Sequence, residues 1–437
     1  MAVSEHASHD KPQQIDLDKC VHCGLCLNAC PTYRELGLEM DSPRGRVYQM
    51  VQVSQGKAEI NPSYIGHIDL CLACRACETA CPSGVQYGRL VEAARSDIEA
   101  HVGSSRPWPV RLLRNLVFRQ LLPSRPALQL FGAALYAYQS TGLRAIVRGS
   151  GLLKLMGKMG RVEALAPEAE MPQFYKWYGQ VLPAITPQRF RVAFLGGCMA
   201  NVFFARLNEA TVRVLQRNGC EVSIPGDQTC CGALHVHSGL REPARELARK
   251  NIDVLLDGNF DAIITNAAGC GSTLKEYGEL LENEPAYAAR ALEFQNKVRD
   301  VNEFLAAIGL NTADMQPVRA RVTYQDSCHL AHGQKVRVAP RQLLRAIPGL
   351  EFVEMPAADL CCGSAGIYNV VQDEMAAAVL EKKMRNVTSV RPDIIATANP
   401  GCMLQLQAGV KRHGQDGQRV RHVVELLDEA YGHATRT

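Results

Sequence analysis

Cys20-Val-His-Cys23-Gly-Leu-Cys26-Leu-Asn-Ala-Cys30-Pro31 is answered further along the chain by Cys71-Leu-Ala-Cys74-Arg-Ala-Cys77-Glu-Thr-Ala-Cys81-Pro82. Both stretches read C-x2-C-x2-C-x3-C-P, a run that ligates [4Fe–4S] clusters in pairs. The first three thiolates of each copy lie on a tight loop that wraps three corners of one cubane. The fourth follows on a short helical turn, points away from its own loop and reaches the other cluster, and the proline then interrupts local backbone hydrogen bonding. The expected ligand sets are therefore Cys20, Cys23, Cys26 and Cys81 for cluster one, and Cys71, Cys74, Cys77 and Cys30 for cluster two.

Structural zinc is the competing use of C-x2-C pairs. Zinc takes four ligands per site and has no use for a third repeated step and a trailing Cys-Pro. Disulfides fit less well still, because Met1 to Pro12 is polar, lacks an apolar leader and reads as a frayed tail. The double run resembles two-cluster bacterial ferredoxins. The long insertion between the copies, with Asp41-Ser-Pro-Arg-Gly-Arg46 and a helical pattern from Val47 to Val53, is similar to the helical variant in succinate dehydrogenase-type iron–sulfur subunits. Arg44 and Arg46 are candidates to neutralise cluster charge, or plain loop-surface residues.

The rest of the 437 residues bounds the answer. The chain is long enough for about two to four domains with real cores. A net charge of +4 gives no sign of a nucleic-acid partner, and no run of apolar residues is long enough for a transmembrane helix. Of 17 cysteines all but Cys220 fall into patterned groups, and Cys220 reads as a buried, inert thiol.

Residues 13–100 form the expected two-cluster domain, ending in an amphipathic helix from Leu90 to Ala100. Residues 101–188 follow as a basic helical connector and linker. Between 101 and 162 there are ten Arg or Lys (Arg106, Arg111, Arg114, Arg119, Arg125, Arg144, Arg148, Lys154, Lys158 and Arg161) and no Asp or Glu. Interleaved with apolar runs, such a stretch can lie on an anionic membrane surface, dock an acidic partner, or pack as connector helices. Residues 163–188, punctuated by Pro167, Pro172, Pro183 and Pro187, read as linker. From Arg189 the pattern alternates strand and helix: strands at 191–195, 221–224 and 261–265, helices at 208–218 and 243–256. The expected fold class is thus a helical two-cluster domain followed by α/β domains with mostly parallel sheets.

The C-terminal part repeats itself. Arg191-Val-Ala-Phe-Leu-Gly-Gly-Cys198 answers Arg321-Val-Thr-Tyr-Gln-Asp-Ser-Cys328, Cys230-Cys231-Gly232 answers Cys361-Cys362-Gly363, and Asp261 to Cys270 answers Asp393 to Cys402, at a near-constant offset of about 131 residues. Domains are expected at 189–310 and 319–432. Each supplies four thiols at strand C-terminal ends, the edge where open α/β sheets bind ligands. Cys198, Cys230, Cys231 and Cys270, and Cys328, Cys361, Cys362 and Cys402, are candidates for further metal sites. A pseudo-twofold is expected to bring the eight thiols towards one region.

These halves resemble the CCG cysteine-rich domains also found in heterodisulfide reductase, anaerobic glycerol-3-phosphate dehydrogenase and lactate-utilisation proteins. Ala267 and Asn399 replace the first cysteine of the family's closing C-x-x-C. That leaves four thiols per half, enough for a [4Fe–4S] cluster, zinc or a dithiol site. With Asp326-Ser-Cys-His-Leu-Ala-His-Gly333 and Cys361-Cys-Gly-Ser-Ala-Gly366, the whole order resembles the iron–sulfur subunits of bacterial glycolate oxidase. The resemblance implies an electron carrier that takes electrons from FAD on a partner subunit to a quinone or membrane-associated acceptor. It also implies a cytoplasmic location, including the inner face of the plasma membrane. No dinucleotide fingerprint is present, since Gly149-Ser-Gly151 lacks the third glycine. Subunits of D-lactate or glycerol-3-phosphate dehydrogenase complexes, and a thiol/disulfide reductase, are the competing assignments. His22 lies within the first cluster loop. His329 and His332, beside Cys328, are candidates for hydrogen-bond donors to a cluster, a catalytic acid–base pair or zinc ligands, and His235 and His237 follow the first Cys-Cys-Gly.

Overall fold

The computed structural model describes residues 10–151, 153, 163 and 166–433. Most of the expected N-terminal tail, and Lys154, Lys158 and Arg161 of the basic stretch, lie outside the described residues. Asp10 and Lys11 are held. Asp10 pairs with Arg241 at 2.9 Å and with Arg245, and Lys11 with Asp97 at 3.4 Å.

The N-terminal module is built from short helices, each opened by the residue type its first turn needs. Pro43–Ser54 is capped by Ser42, whose hydroxyl accepts from the Gly45 N–H, and Pro62–Asp69 by Asn61, whose side chain accepts from the Tyr64 N–H. Pro31 does not stop a helix as expected. It opens Pro31–Leu36, where a missing N–H costs nothing. The long helix Tyr87–Val102 turns Leu90, Val91, Ala94 and Ile98 onto Met50, Tyr64 and Ile68.

The cysteine-rich part holds two sheets. In the first, β2 (Phe190–Phe194) lies parallel between β3 (Cys220–Ile224) and β4 (Ala262–Thr265), and β4 continues to β5 (Val298–Asp300). In the second, β6 (Ala320–Tyr324) lies parallel between β7 (Leu350–Phe352) and β8 (Ile394–Thr397), followed by β9 (Arg419–His422). The duplication extends to single hydrogen bonds. The Arg191 N–H donates to Asp261 Oδ2 at 2.7 Å, and the Arg321 N–H donates to Asp393 Oδ2 at 2.7 Å. The expected linker also contributes β1 (Gln180–Leu182), antiparallel to β3. At three residues, with little burial, it carries no readable alternation.

Strand alternation divides the apolar side chains between two faces. Val192, Phe194 and Ile264 face a core shared with Val322 and Ile394 of the second half, while Ala193, Leu195 and Ile263 face the outer helices of the first half. Because both faces are covered, these strands read as continuous apolar runs. Across the halves Arg213 Nη2 reaches the buried carboxylate of Asp428 at 2.6 Å. Cys220 is fully buried, and burial pushes its thiol up to about 12.

The last strand of each sheet ends in an N-cap: Asp300 for Val301–Ile308 and His422 for Val423–Ala430. Burial pushes His422 down to about 4, and its Nδ1 accepts from the Val424 N–H at 3.1 Å. A lowered histidine contributes stability that is present above its unfolded value of about 6.5 and is lost as pH falls towards 4. Urea unfolding at pH 7.5 and pH 5 should show a loss of about 2 kcal/mol from this residue. His422→Asn, which keeps a capping acceptor, should lack that increment; an identical pH dependence in the variant contradicts the assignment.

Candidate metal centres

The two N-terminal loops share one backbone. Two residues after the first cysteine, His22 and Ala73 have φ of 53° and 49°; one residue after the second, Gly24 and Arg75 have φ of 85° and 64°. Left-handed residues in such loops turn successive N–H groups inward and make an anion-binding concavity. At Ala73 and Arg75 that conformation costs about 1 kcal/mol or more each. Arg75 is held there by Glu78, Ser272 and Glu276. A side chain at Gly24 would meet Arg44 Nη1, which instead lies over the loop and donates to the His22 carbonyl at 3.0 Å.

Cys30, Cys71, Cys74 and Cys77 line one small cavity of about 20 Å³ together with Arg46 and Tyr87. All four thiols are buried. Cys20 lies close enough to Cys23 and Cys81 to feel their charge; Cys23 is exposed, and Cys20, Cys26 and Cys81 are half-buried. The chain thus brings Cys30 to the second loop and Cys81 to the first.

Burial pushes the Cys74 and Cys77 thiols well up, so four thiolates here require positive charge. Arg46 supplies some of it. It is fully buried and donates to the His67 carbonyl at 2.6 Å, Thr32 Oγ1 at 3.1 Å and Asp41 Oδ1 at 3.3 Å. Thr32 Oγ1 lies 3.2 Å from Cys30 Sγ, and the Ala73 N–H donates to Cys71 Sγ at 3.3 Å. Four thiols, inward N–H groups and a buried guanidinium form a donor set that suits an anionic iron–sulfur cluster.

The eight remaining patterned thiols fall into a group of four in each half, and Asn399 bridges from one to the other. In the first half Cys198 and Cys230 Sγ lie 3.3 Å apart. Neutral Asn251 donates to the Cys230 carbonyl at 3.0 Å, and Tyr277 donates to the Cys231 carbonyl at 2.9 Å. In the second half hydrogen bonds from Cys328 and Cys362 hold the Cys361 thiol well below the usual range. Lys383, only 2% exposed, donates to the Ala357 and Ala358 carbonyls beneath these thiols. The Cys-Cys-Gly glycines sit at φ of 83° and 90°, and a Cβ at Gly363 would come 2.6 Å from the Ala376 carbonyl oxygen. Only glycine fits both demands.

The histidines divide by task. His332 spends both ring nitrogens as a tie, Nδ1 to Thr79 Oγ1 at 2.8 Å and Nε2 to the Asp359 carbonyl at 3.0 Å. Its neighbour His329 lies 3.6 Å from Cys328 Sγ and against the His237 ring, and burial pushes it down to about 3. His237 pairs with Glu92 at 3.0 Å, and His235 Nε2 with the Phe118 carbonyl at 2.7 Å. His22 stacks edge-on to Tyr48. Motif spacing marks Asn399 only as a missing cysteine; its role is a bridge, for its Nδ2 donates to Cys402 Sγ at 3.4 Å and its Oδ1 accepts from the Gly269 N–H at 3.4 Å.

The basic connector forms helices Trp108–Asn115, Arg125–Ser140 and Leu143–Gly149. Trp108, Leu112 and Leu116, 73%, 59% and 50% exposed, make an outward stripe at helical spacing. Arg111 and Arg119, also exposed, flank it. No described helix is long and apolar enough to cross a membrane.

Comparison with known proteins matches residues 16–85 to the 4Fe-4S dicluster domain family, and 192–275 and 322–407 to the cysteine-rich domain family. Residues 109–166 match the linker region of the glycolate oxidase iron-sulfur subunit. A probable glycolate oxidase iron-sulfur subunit of Bacillus subtilis (strain 168) is 42% identical, over 98% of this chain and 96% of its own. The glycolate oxidase iron-sulfur subunit of Escherichia coli (strain K12) is 34% identical, over 95% and 94%. A fumarate reductase (CoM/CoB) subunit of Methanothermobacter marburgensis is 36% identical, over 55% of this chain and 46% of its own.

Arg46→Met keeps the volume but leaves Asp41 buried without its guanidinium. Removing one partner of a buried pair is expected to cost about 3 kcal/mol in denaturant unfolding. An unchanged midpoint contradicts the role given to Arg46.

Proposed function

This chain belongs to the glycolate oxidase iron–sulfur subunit family, and from that membership we propose that it carries electrons within a glycolate oxidase complex whose substrate is oxidised on a separate flavin subunit. Cys20, Cys23, Cys26 and Cys81 hold one [4Fe–4S] cluster; Cys71, Cys74, Cys77 and Cys30 hold the other. When bound, each cluster takes up and releases one electron at a time. The chain's own residues do the rest. Arg46 offsets negative charge at the buried set, and the wall of Pro31, Leu72 and Tyr87 limits water. The exposed Cys23 loop leaves the first set open to an exchange partner.

The observation that carries this reading is the company Cys30 keeps: it shares a cavity with Cys71, Cys74 and Cys77, far along the chain, instead of with its sequence neighbours. An exchanged fourth ligand keeps two clusters adjacent, as electron hopping requires. The FAD-carrying chains of glycolate oxidase are the electron source, and a quinone or other membrane-associated acceptor is the destination. The outward Trp108–Leu112–Leu116 stripe and its arginines support docking of the connector on an anionic membrane, on the cytoplasmic face.

The anaerobically reconstituted chain should contain at least about eight irons, absorb broadly in the visible and bleach with dithionite, yet fail to oxidise glycolate without its flavin partner. A colourless zinc protein, or glycolate turnover by the chain alone, contradicts the proposal. In flotation assays the chain should rise with phosphatidylglycerol vesicles, and Trp108→Ser/Leu112→Ser should not. Equal flotation of both sinks the membrane role.

A further inference from the structure

We infer that the two cysteine-rich halves are unequal stations: the second half is the direct redox neighbour of the Cys30–Cys71–Cys74–Cys77 set, and the first half stands one step further off. This rests on reading the N-terminal thiols as cluster ligands, and it adds an iron–sulfur group at the second half's thiols.

The second cluster loop packs against the second half. Cys74 shares one buried apolar group with Cys328 and Cys361, closed by Leu72, Tyr368 and Val379. Cys74 and Cys361 are near enough for each to feel the other's charge. Tyr368 fixes the approach by donating to the Leu70 carbonyl at 2.8 Å, one residue before Cys71, and His332 ties the same loop at Thr79. The first half meets the same loop through polar groups alone: Arg75, the residue after Cys74, donates to Ser272 at 3.3 Å, and nearby His237 pairs with Glu92 at 3.0 Å. Arg75 and Glu92 line a hydrophilic cleft of about 130 Å³ that contains no cysteine.

Burial separates the halves in the same sense. Cys328, Cys361, Cys362 and Cys402 are all buried, over a buried Lys383, whereas Cys198 and Cys270 of the first half are half-buried. An internal relay needs enclosure and compensating charge, and a terminal site needs access. Asn399 joins the halves. It donates to Cys402 Sγ and accepts from Gly269, the residue before Cys270. Each hop oxidises one station and reduces the next by one electron, with no bond made or broken. The flavin partner is the reductant of the series.

The test uses the full-length chain, reconstituted anaerobically with iron and sulfide and titrated by electron paramagnetic resonance. The cluster signal to follow is the one that Cys77→Ser removes. Cys361→Ser should shift its one-electron equilibrium at least tenfold, about 59 mV. The matched Cys230→Ser should shift it less than twofold. Tyr368→Phe keeps the ring, drops the hydrogen bond to Leu70 and removes no proposed ligand, so it should shift the same signal at unchanged iron content. It also serves if Cys361→Ser fails to fold. Equal shifts from Cys361→Ser and Cys230→Ser, or no shift from Tyr368→Phe, overturn the inequality of the halves. A wild-type chain with no such signal overturns the cluster assignment beneath it as well.

Discussion

A thiolate walled in by apolar side chains must find positive charge or stay protonated, and that constraint organises this molecule. Cys30, Cys71, Cys74 and Cys77 are drawn from both ends of the N-terminal module into one buried cavity. The module's short helices, their proline-led first turns and the buried Arg46–Asp41 pair serve to hold those sulfurs there. Even the backbone contributes, in left-handed residues repeated at matching places of both loops. The first set, with Cys23 exposed, differs mainly in access to water, and solvent exposure is one of the levers that separate the potentials of chemically identical clusters.

Duplication produced two sheets alike down to the Asp261 and Asp393 hydrogen bonds, yet the copies occupy different surroundings. One lies against the second cluster loop through an apolar contact that includes cysteine from both sides. The other meets the module, Arg75 of that same loop included, through ion pairs and hydrogen bonds around a hydrophilic cleft. Where the second half sets a buried lysine beneath its thiols, the first offers a neutral amide at Asn251. A repeated fold has thus become two sites with different burial and charge, which is the usual prerequisite for different potentials.

Much of this was legible in the chain itself. Cysteine spacing is set by local loop geometry, so the two runs and the Cys-Cys-Gly turns could be read residue by residue. Strands buried on both faces leave continuous apolar runs, so their places were readable to within a residue or so. What resisted reading depends on distant partners. Asp10 looks like part of a polar tail until Arg241 and Arg245 are seen to hold it. Strand β1 is too short to show alternation. Asn399 stands out in sequence only as a missing cysteine, and its bridging amide requires both halves in place.

Everything turns on Cys30 serving the second loop's cluster and not the first. Mössbauer and paramagnetic resonance spectra of Cys30→Ser, set beside Cys77→Ser and Cys23→Ser, test this most directly. Cys30→Ser should disturb the same cluster signal as Cys77→Ser and leave the other intact. Loss of the signal that Cys23→Ser removes, with the Cys77 signal unchanged, would contradict it.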